Sequence, residues 1–345
     1  LSLFEKMKFA KNIRPDRVSF LTCISACADL KDLNEARKME SCLFESDLNL
    51  DLVLHSALMN MYHKCCSLED ALRIFHKTEK ADVVCWNTLI SGYTQHGFID
   101  EALTSFNQMR NEGITPDLVT FVCVLKACSN IGSLDIGEDI HALIIKQGLL
   151  CKSIALGNTL VDMYAKCCVL KKAQEVFDEL PVRDVVSWNV LITGYAQLGE
   201  AKKVLNLLSK MSSEGVLPNV VTFLVLLTAC SYAGLVKEGQ TLLNIMDTVY
   251  FLPPTVEHIA CMVDIFGRAR HFEKAVYLIE KVSSSDRFPL WLALLGACYK
   301  WVNVELARWA FEQAIQLDEN CAAPYICMGN IYATTDSHGK TNLKF

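Results

Sequence analysis

Apolar residues recur at helical spacing along most of this chain, and the helical stretches come in pairs. A first stretch of about twelve largely apolar residues runs to a Gly, Cys or polar turn. A second stretch follows with a single apolar stripe, as in Ala102, Phe106 and Met109, or Ala71, Ile74 and Phe75. Spacing of i, i+3 and i+4 predicts an amphipathic helix. Polar ends such as NEGITPD (111–117) and SEGVLPN (213–219) close the pair. Glycine there suits the end of a helix and proline stops its continuation.

The pairs repeat. DVVCWNTLISGYTQHG at 82–97 returns as DVVSWNVLITGYAQLG at 184–199, an offset of 102 residues. A second phrase starts at Val18, Val119 and Val221, and a third at Ser56, Asn158 and, more loosely, Ala260. Each step of about 102 residues therefore holds three units of about 35, 36 and 31 residues. One helical hairpin cannot bury its own apolar face, but stacked hairpins bury a continuous core between them. Trp86, Trp188, Tyr93, Tyr195 and the Ala-Cys steps at Cys27, Cys128 and Cys230 are expected to pack between helices. The expected class is all-α, a solenoid of antiparallel helical hairpins.

The divisions follow from the repeats. Residues 1–17 read as the end of a truncated repeat, and 18–288 as the array. From 289 the register changes: Ala310 and Ala314 with Tyr325, Gly329 and Tyr332 suggest two further hairpins, with small residues at close crossings. That segment is assigned to 289–333, and 334–345 is expected to be a frayed or truncated tail.

Composition narrows the function. At 52% hydrophobic and 21% charged residues the chain has ample material for a core. No run of eighteen apolar residues is present, so no membrane span is expected. A net charge of −6 does not mark a general nucleic-acid binder, although a local basic groove would leave the total unchanged. The 16 Cys include no C-x-x-C pair and are expected to act as small buried hydrophobes, with no metal or cofactor. H-E-x-x-H, G-x-S-x-G, a P-loop and the deaminase set H-x-E…P-C-x-x-C are all absent, so no catalysis is expected from this segment.

What remains is a periodic polar set. Asn87, Asn158 and Asn189 fall early in a first helix, and Ser56 holds the equivalent place. Asp82, Asp117, Asp184 and Asn219 stand where each unit ends. Two readings are open. The Asp and Asn residues could cap the helices that follow them. Capping does not account for a second polar residue inside the helix, and Asn and Ser can both donate to and accept from a base edge.

The phrases VVSWNVLITGYAQ, LVDMYAKC, VTFLVLLTACS and HIACMVDIFGRA, in their order and spacing, resemble plant organellar pentatricopeptide repeat proteins of the P-L-S subclass. The resemblance runs from residue 1 to about 333. It implies a right-handed superhelix of two-helix repeats that binds single-stranded RNA, one base per repeat, selected by the fifth and last residues. On that reading Ser56 with Asp82 resembles a guanine reader. Asn87 with Asp117, and Asn158 with Asp184, resemble uracil readers. Asn189 with Asn219 resembles a pyrimidine reader that favours cytosine. Leu21, Val122, Leu224 and Ala260 occupy the fifth place elsewhere and depart from the pattern. Apolar residues beside the fifth place would sandwich each base, and Lys171–Lys172 would either contact phosphate or form a solvated face. Residues 289–333 resemble the E-type extension of proteins that direct C-to-U editing in mitochondria or chloroplasts. In those proteins a DYW-type deaminase domain acts in cis or comes from a partner. The alternatives are a deaminase, if such a domain follows in the parent chain, or a protein-binding scaffold.

Overall fold

A computed structural model describes all residues except 10–14, 47, 49, 79 and 342–345. The described residues form twenty α-helices and no strand. They divide into two compact units, Leu1–Pro181 and Val182–Phe345. The first holds α1 (Ser2–Phe9), α2 (Arg17–Leu30), α3 (Leu33–Phe44), α4 (Leu52–Lys64), α5 (Leu68–His76), α6 (Val83–Gln95), α7 (Ile99–Asn111), α8 (Leu118–Ile131), α9 (Leu134–Lys146), α10 (Ile154–Lys166) and α11 (Leu170–Glu179). The second holds α12 (Val185–Gln197), α13 (Ala201–Ser213), α14 (Val220–Ala233), α15 (Val236–Thr248), α16 (Val256–Arg268), α17 (Phe272–Lys281), α18 (Phe288–Trp301), α19 (Val304–Leu317) and α20 (Ala322–Thr341).

In both units each first helix pairs with the helix after it and packs on the next first helix along the chain. Thus α2, α4, α6, α8 and α10 form one row, and α12, α14, α16, α18 and α20 another. This topology explains the two hydrophobic textures. A first helix has neighbours on several sides: in α6, Cys85, Trp86, Asn87, Leu89, Ile90, Gly92, Tyr93 and Thr94 are all buried. A second helix has one buried stripe, as with Ala71, Ile74 and Phe75 in α5 or Ala173, Val176 and Phe177 in α11. Trp86 sits edge-on to Phe75 of the preceding hairpin, ring centroids 4.8 Å apart. Truncating such a buried Trp typically costs about 3–5 kcal/mol.

The helix starts are written in the sequence. Asp82, Asp117, Asp184 and Asn219 are extended N-cap residues whose side chains accept the third backbone amide of the helix that follows. The turn inside each hairpin needs one left-handed residue. Glycine supplies it at Gly97 and Gly199, whereas Cys66 and Cys168 hold φ of 59° and 61° at the corresponding turns. These two cysteines and Cys151 are exposed, which corrects the expectation that the cysteines act as buried hydrophobes. Turn geometry fixes Cys66 and Cys168 outside the core. Cys27, Cys85, Cys128, Cys230 and Cys298 are buried as expected, and burial pushes the Cys128 thiol up to about 12.

The last segment differs from its expected form. Residues 288–317 make one hairpin, with Ala310 and Ala314 fully buried, but a single helix, α20, follows and runs past residue 333 to Thr341. A side chain at Gly329 would meet nothing within 4 Å, so it is not a close crossing. Tyr325 and Tyr332 are exposed. Residues 342–345 of the expected tail lie outside the described residues.

Candidate nucleic-acid interface

Within each unit, the packing of first helix on first helix brings one N-cap against the fifth residue of the preceding first helix. Asn87 on α6 and Asp117 at the start of α8 meet in this way. Asn87 Nδ2 donates to Asp117 Oδ1 at 3.0 Å. The same oxygen accepts the Thr120 amide at 2.9 Å. Thr120 Oγ1 donates to Asn87 Oδ1 at 2.6 Å and accepts the Asp117 amide at 3.1 Å. Asn87 is therefore held at both ends of its amide, with one Nδ2 hydrogen left over. Burial raises the Asp117 pKa, but the Thr120 amide and the Asn87 and Thr120 side chains outweigh it and hold the carboxyl below its ordinary range.

The second unit builds the same device with a different terminal residue. Asn189 Nδ2 donates to Asn219 Oδ1 at 3.2 Å, and Thr222 Oγ1 donates to Asn189 Oδ1 at 2.6 Å. Asn219 Oδ1 also accepts the Thr222 amide at 3.0 Å. The first device ends in an ionised carboxylate that only accepts. The second ends in an amide whose NH₂ remains to donate.

The other expected pairs are placed differently. Ser56 donates to the Val53 carbonyl of its own helix at 3.0 Å, Asp82 accepts the Cys85 amide at 2.9 Å, and no hydrogen bond joins Ser56 to Asp82. Cys85 stands where Thr120 and Thr222 supply the bridging hydroxyl. Asn158 is buried on α10 in the first unit. Asp184 caps α12 in the second, with Ser187 completing a reciprocal capping box. The units whose fifth residues are Leu21 and Val122 end in caps as well: Asp51 accepts the Leu54 amide and Ser153 the Leu156 amide.

Two features of this surface were only partly visible in the sequence. Val18, Val53, Val84 and Val119 in the first unit, and Val186 and Val221 in the second, stand about half exposed at the second residue of their helices. Isolated exposed valines are ordinary, but these recur in register with the fifth residues. Val84 and Val119 line, with Asn87 and Asp117, a pocket of about 320 Å³. Three basic residues of the first helices are engaged with carboxylates: Lys64 with Asp29 at 2.8 Å, Lys166 with Asp162 at 2.8 Å, and Arg268 with Asp264 at 2.7 Å. Lys171 and Lys172 belong instead to the second-helix row. There Lys171 faces Glu175 and Lys172 pairs with Glu138. Among the described residues no group of three or more His, Cys, Asp or Glu is placed to hold a metal ion, and no helix is long and apolar enough to cross a membrane.

Hairpins repeating at 31 to 36 residues, stacked through their first helices, define an α-solenoid of two-helix repeats. A PPR repeat family model matches residues 81–130 and 183–231, and a PPR repeat model matches 158–185. A chloroplastic pentatricopeptide repeat-containing protein of Arabidopsis thaliana is 35% identical over 325 residues, covering 94% of this chain and 44% of that protein. A mitochondrial one is 34% identical over 324 residues, covering 94% of this chain and 50% of its own length. The chain thus spans about half the length of such relatives. Among solved structures, the pentatricopeptide repeat protein PPR10 in complex with an 18-nt psaJ RNA element superimposes with a TM-score of 0.76 at 17% identity, covering 99% of this chain and 52% of that one. The chain is a pentatricopeptide-repeat protein related to the plant organellar proteins of that kind.

Proposed function

We propose that this chain binds single-stranded RNA sequence-specifically, with the fifth and last residues of its repeats selecting bases. The carrying observation is the pair of locked amides, Asn87 on Asp117 and Asn189 on Asn219, each beside half-exposed valines. A helix cap, even with the capping-box hydroxyl of Thr120 or Thr222, does not need the second amide. The locked geometry also supports a choice between bases. Asn87 offers one N–H beside an acceptor-only carboxylate, which complements the adjacent O4 and N3–H of uracil. Asn189 and Asn219 both offer N–H groups, which complement the adjacent N3 and O2 acceptors of cytosine. Val84 and Val119 would flank the first of these bases. The similarly folded PPR10 is in complex with an 18-nt RNA, which supports RNA as the class of ligand.

The finer assignment rests on the resemblance. The units of about 35, 36 and 31 residues support a P-L-S type, and residues 289–333 resemble an E-type extension. With Ser56–Asp82 and Asn158–Asp184 as the remaining readers, the site reads G-U-x-U-Y-x. The role is that of a specificity factor for C-to-U editing in a mitochondrion or chloroplast, with the deaminase supplied by a partner or by a domain of the parent protein. The test is binding of an RNA carrying these letters against single-base variants. Asn219→Asp should shift the preference at its nucleotide from cytosine to uracil. An unchanged preference would refute base reading by this pair.

A further inference from the structure

The pocket beside Asn87 and Asp117 does not end at the base-facing residues. It continues along the first-helix row into the cleft between α4 and α6, where its walls are Asn60, His63, Ser91 and Gln95. Resting on the RNA-binding reading above, we infer that this neutral extension is a ribose subsite, which takes the 2′-hydroxyl of the nucleotide held at Asn87 and Asp117 and so favours RNA over DNA there.

The first observation is His63. It is only 3% exposed, and neither ring nitrogen has a hydrogen-bond partner. The twelfth residue of the other repeats' first helices is small: Ala28, Thr94, Ser129, Ala165, Ala196, Ser231 and Gly267. A histidine fits here because Gly92 faces it; a side chain at 92 would begin 2.0 Å from the His63 Cε1. A bulky polar ring has thus been accommodated where packing calls for a methyl group, and its two nitrogens are left unused. A buried polar group without a partner costs about 1–3 kcal/mol, so a ligand that supplied one would bind with that much less to overcome.

The second observation is the chemistry of the walls. No lysine or arginine lines the pocket, and its one charged side chain is Asp117, held ionised. A phosphate would meet a carboxylate and no cation. At the corresponding ninth and thirteenth residues α10 and α16 carry charged pairs, Asp162 with Lys166 and Asp264 with Arg268. The pocket is lined at these places by the neutral Asn60, Ser91 and Gln95, while Lys64, the thirteenth residue of α4, pairs with Asp29 and is not part of the lining. Burial keeps His63 neutral, with one donor and one acceptor. Asn60 also offers both, and Gln95 donates to Ser91 at 3.1 Å, which leaves the Gln95 carbonyl; the Ser91 hydroxyl also meets the Cys123 thiol. Groups that both donate and accept suit a hydroxyl, which does the same.

The test is a set of short RNAs with the proposed letters, each carrying one 2′-deoxyribose, titrated against the protein by fluorescence anisotropy. At one nucleotide the deoxy substitution should weaken binding roughly 3- to 10-fold. His63→Ala, which places there the residue type that Ala165 holds in α10, should reduce that loss to under about 2-fold and leave the uracil preference intact. Asn60→Ala and Gln95→Ala, both exposed, give the same test if the core variant does not fold. A flat deoxy scan, or a loss that persists in all three variants, overturns the ribose subsite alone when the uracil preference is present. No RNA binding, or no preference sensitive to Asn87→Ala, overturns the underlying reading with it.

Discussion

Thr120→Val tests the device at its hinge. The substitution keeps the β-branched shape and removes only the hydroxyl. Thr120 is fully buried, and its Oγ1 serves both Asn87 Oδ1 and the Asp117 amide. Valine strands one acceptor and one backbone donor. At about 1–3 kcal/mol for each unsatisfied buried group, and with some relaxation toward solvent, the loss should be about 2–4 kcal/mol. Thr120→Ser is the control. It keeps the hydroxyl and deletes one methyl, which costs about 1 kcal/mol. Ser187 already fills this place at the start of α12, so serine is compatible with the local backbone. A repeat array does not always unfold as one step, so the readout should be local: hydrogen exchange of α6 and α8 amides alongside denaturant unfolding. The valine variant should also weaken the uracil preference, because only the bond to Asp117 then holds the Asn87 amide. A valine variant as stable as the serine variant would refute the bridging role.

Three further outcomes follow. His63 has its pKa lowered to about 4, first by burial and then by nearby His96, so the unfolded chain binds the extra proton as pH falls from about 6.5 towards 4. That site's stability contribution is full above the unfolded pKa and falls by up to about 3 kcal/mol over this window; His63→Ala should flatten the pH dependence of unfolding there by a similar amount. Gly92→Ala should destabilise the native chain by about 1–3 kcal/mol through overlap with His63. In a His63→Ala background thermal melts should show the sign reversed, with alanine gaining up to about 1 kcal/mol of helix propensity. Ser56→Asn together with Cys85→Thr should install a third locked pair on Asp82 and move the preference at that nucleotide from guanine to uracil. RNA binding unchanged by the double substitution would count against the bridging hydroxyl as the organising group.

Most of the scaffold was readable because its cause is local. Caps at Asp82, Asp117, Asp184 and Asn219, turn residues at 97 and 199, and apolar periodicity all act within a few residues of one another. Asn87, Asn189, Asp117 and Asn219 stood out by repetition, whereas their pairing came from the family resemblance. The hydroxyl bridge was not, because Thr120 lies 33 residues from Asn87 and looks like an ordinary capping-box residue until the helices are side by side. The His63–Gly92 fit was hidden for the same reason. A large residue on one helix and an absent side chain on the next carry no shared local signal. The region after 317 misled because small residues and tyrosines imitate a hairpin pattern, while the chain there continues as one helix.

Capping and base reading had stood as rival accounts of the terminal Asp and Asn residues. In the two complete devices a single oxygen both caps the helix and holds the fifth-residue side chain proposed to read the base. Asp117 Oδ1 takes the Thr120 amide and the Asn87 side chain, and Asn219 Oδ1 takes the Thr222 amide and the Asn189 side chain. The cap fixes that oxygen to the backbone of the next repeat, so the fifth residue is oriented by a rigid element rather than by a loop. This is why a cap is a good place to put a specificity determinant. A terminal Asp need not meet a polar fifth residue. Asp51 caps α4 and pairs with Arg17 at 2.7 Å, opposite a fifth residue, Leu21, that cannot hydrogen-bond. The discriminating feature is the side-chain bond from the fifth residue to the cap, secured by a hydroxyl three residues into the next helix. A first-helix sequence with Thr at that third place, after a unit whose fifth residue is Asn, marks the device.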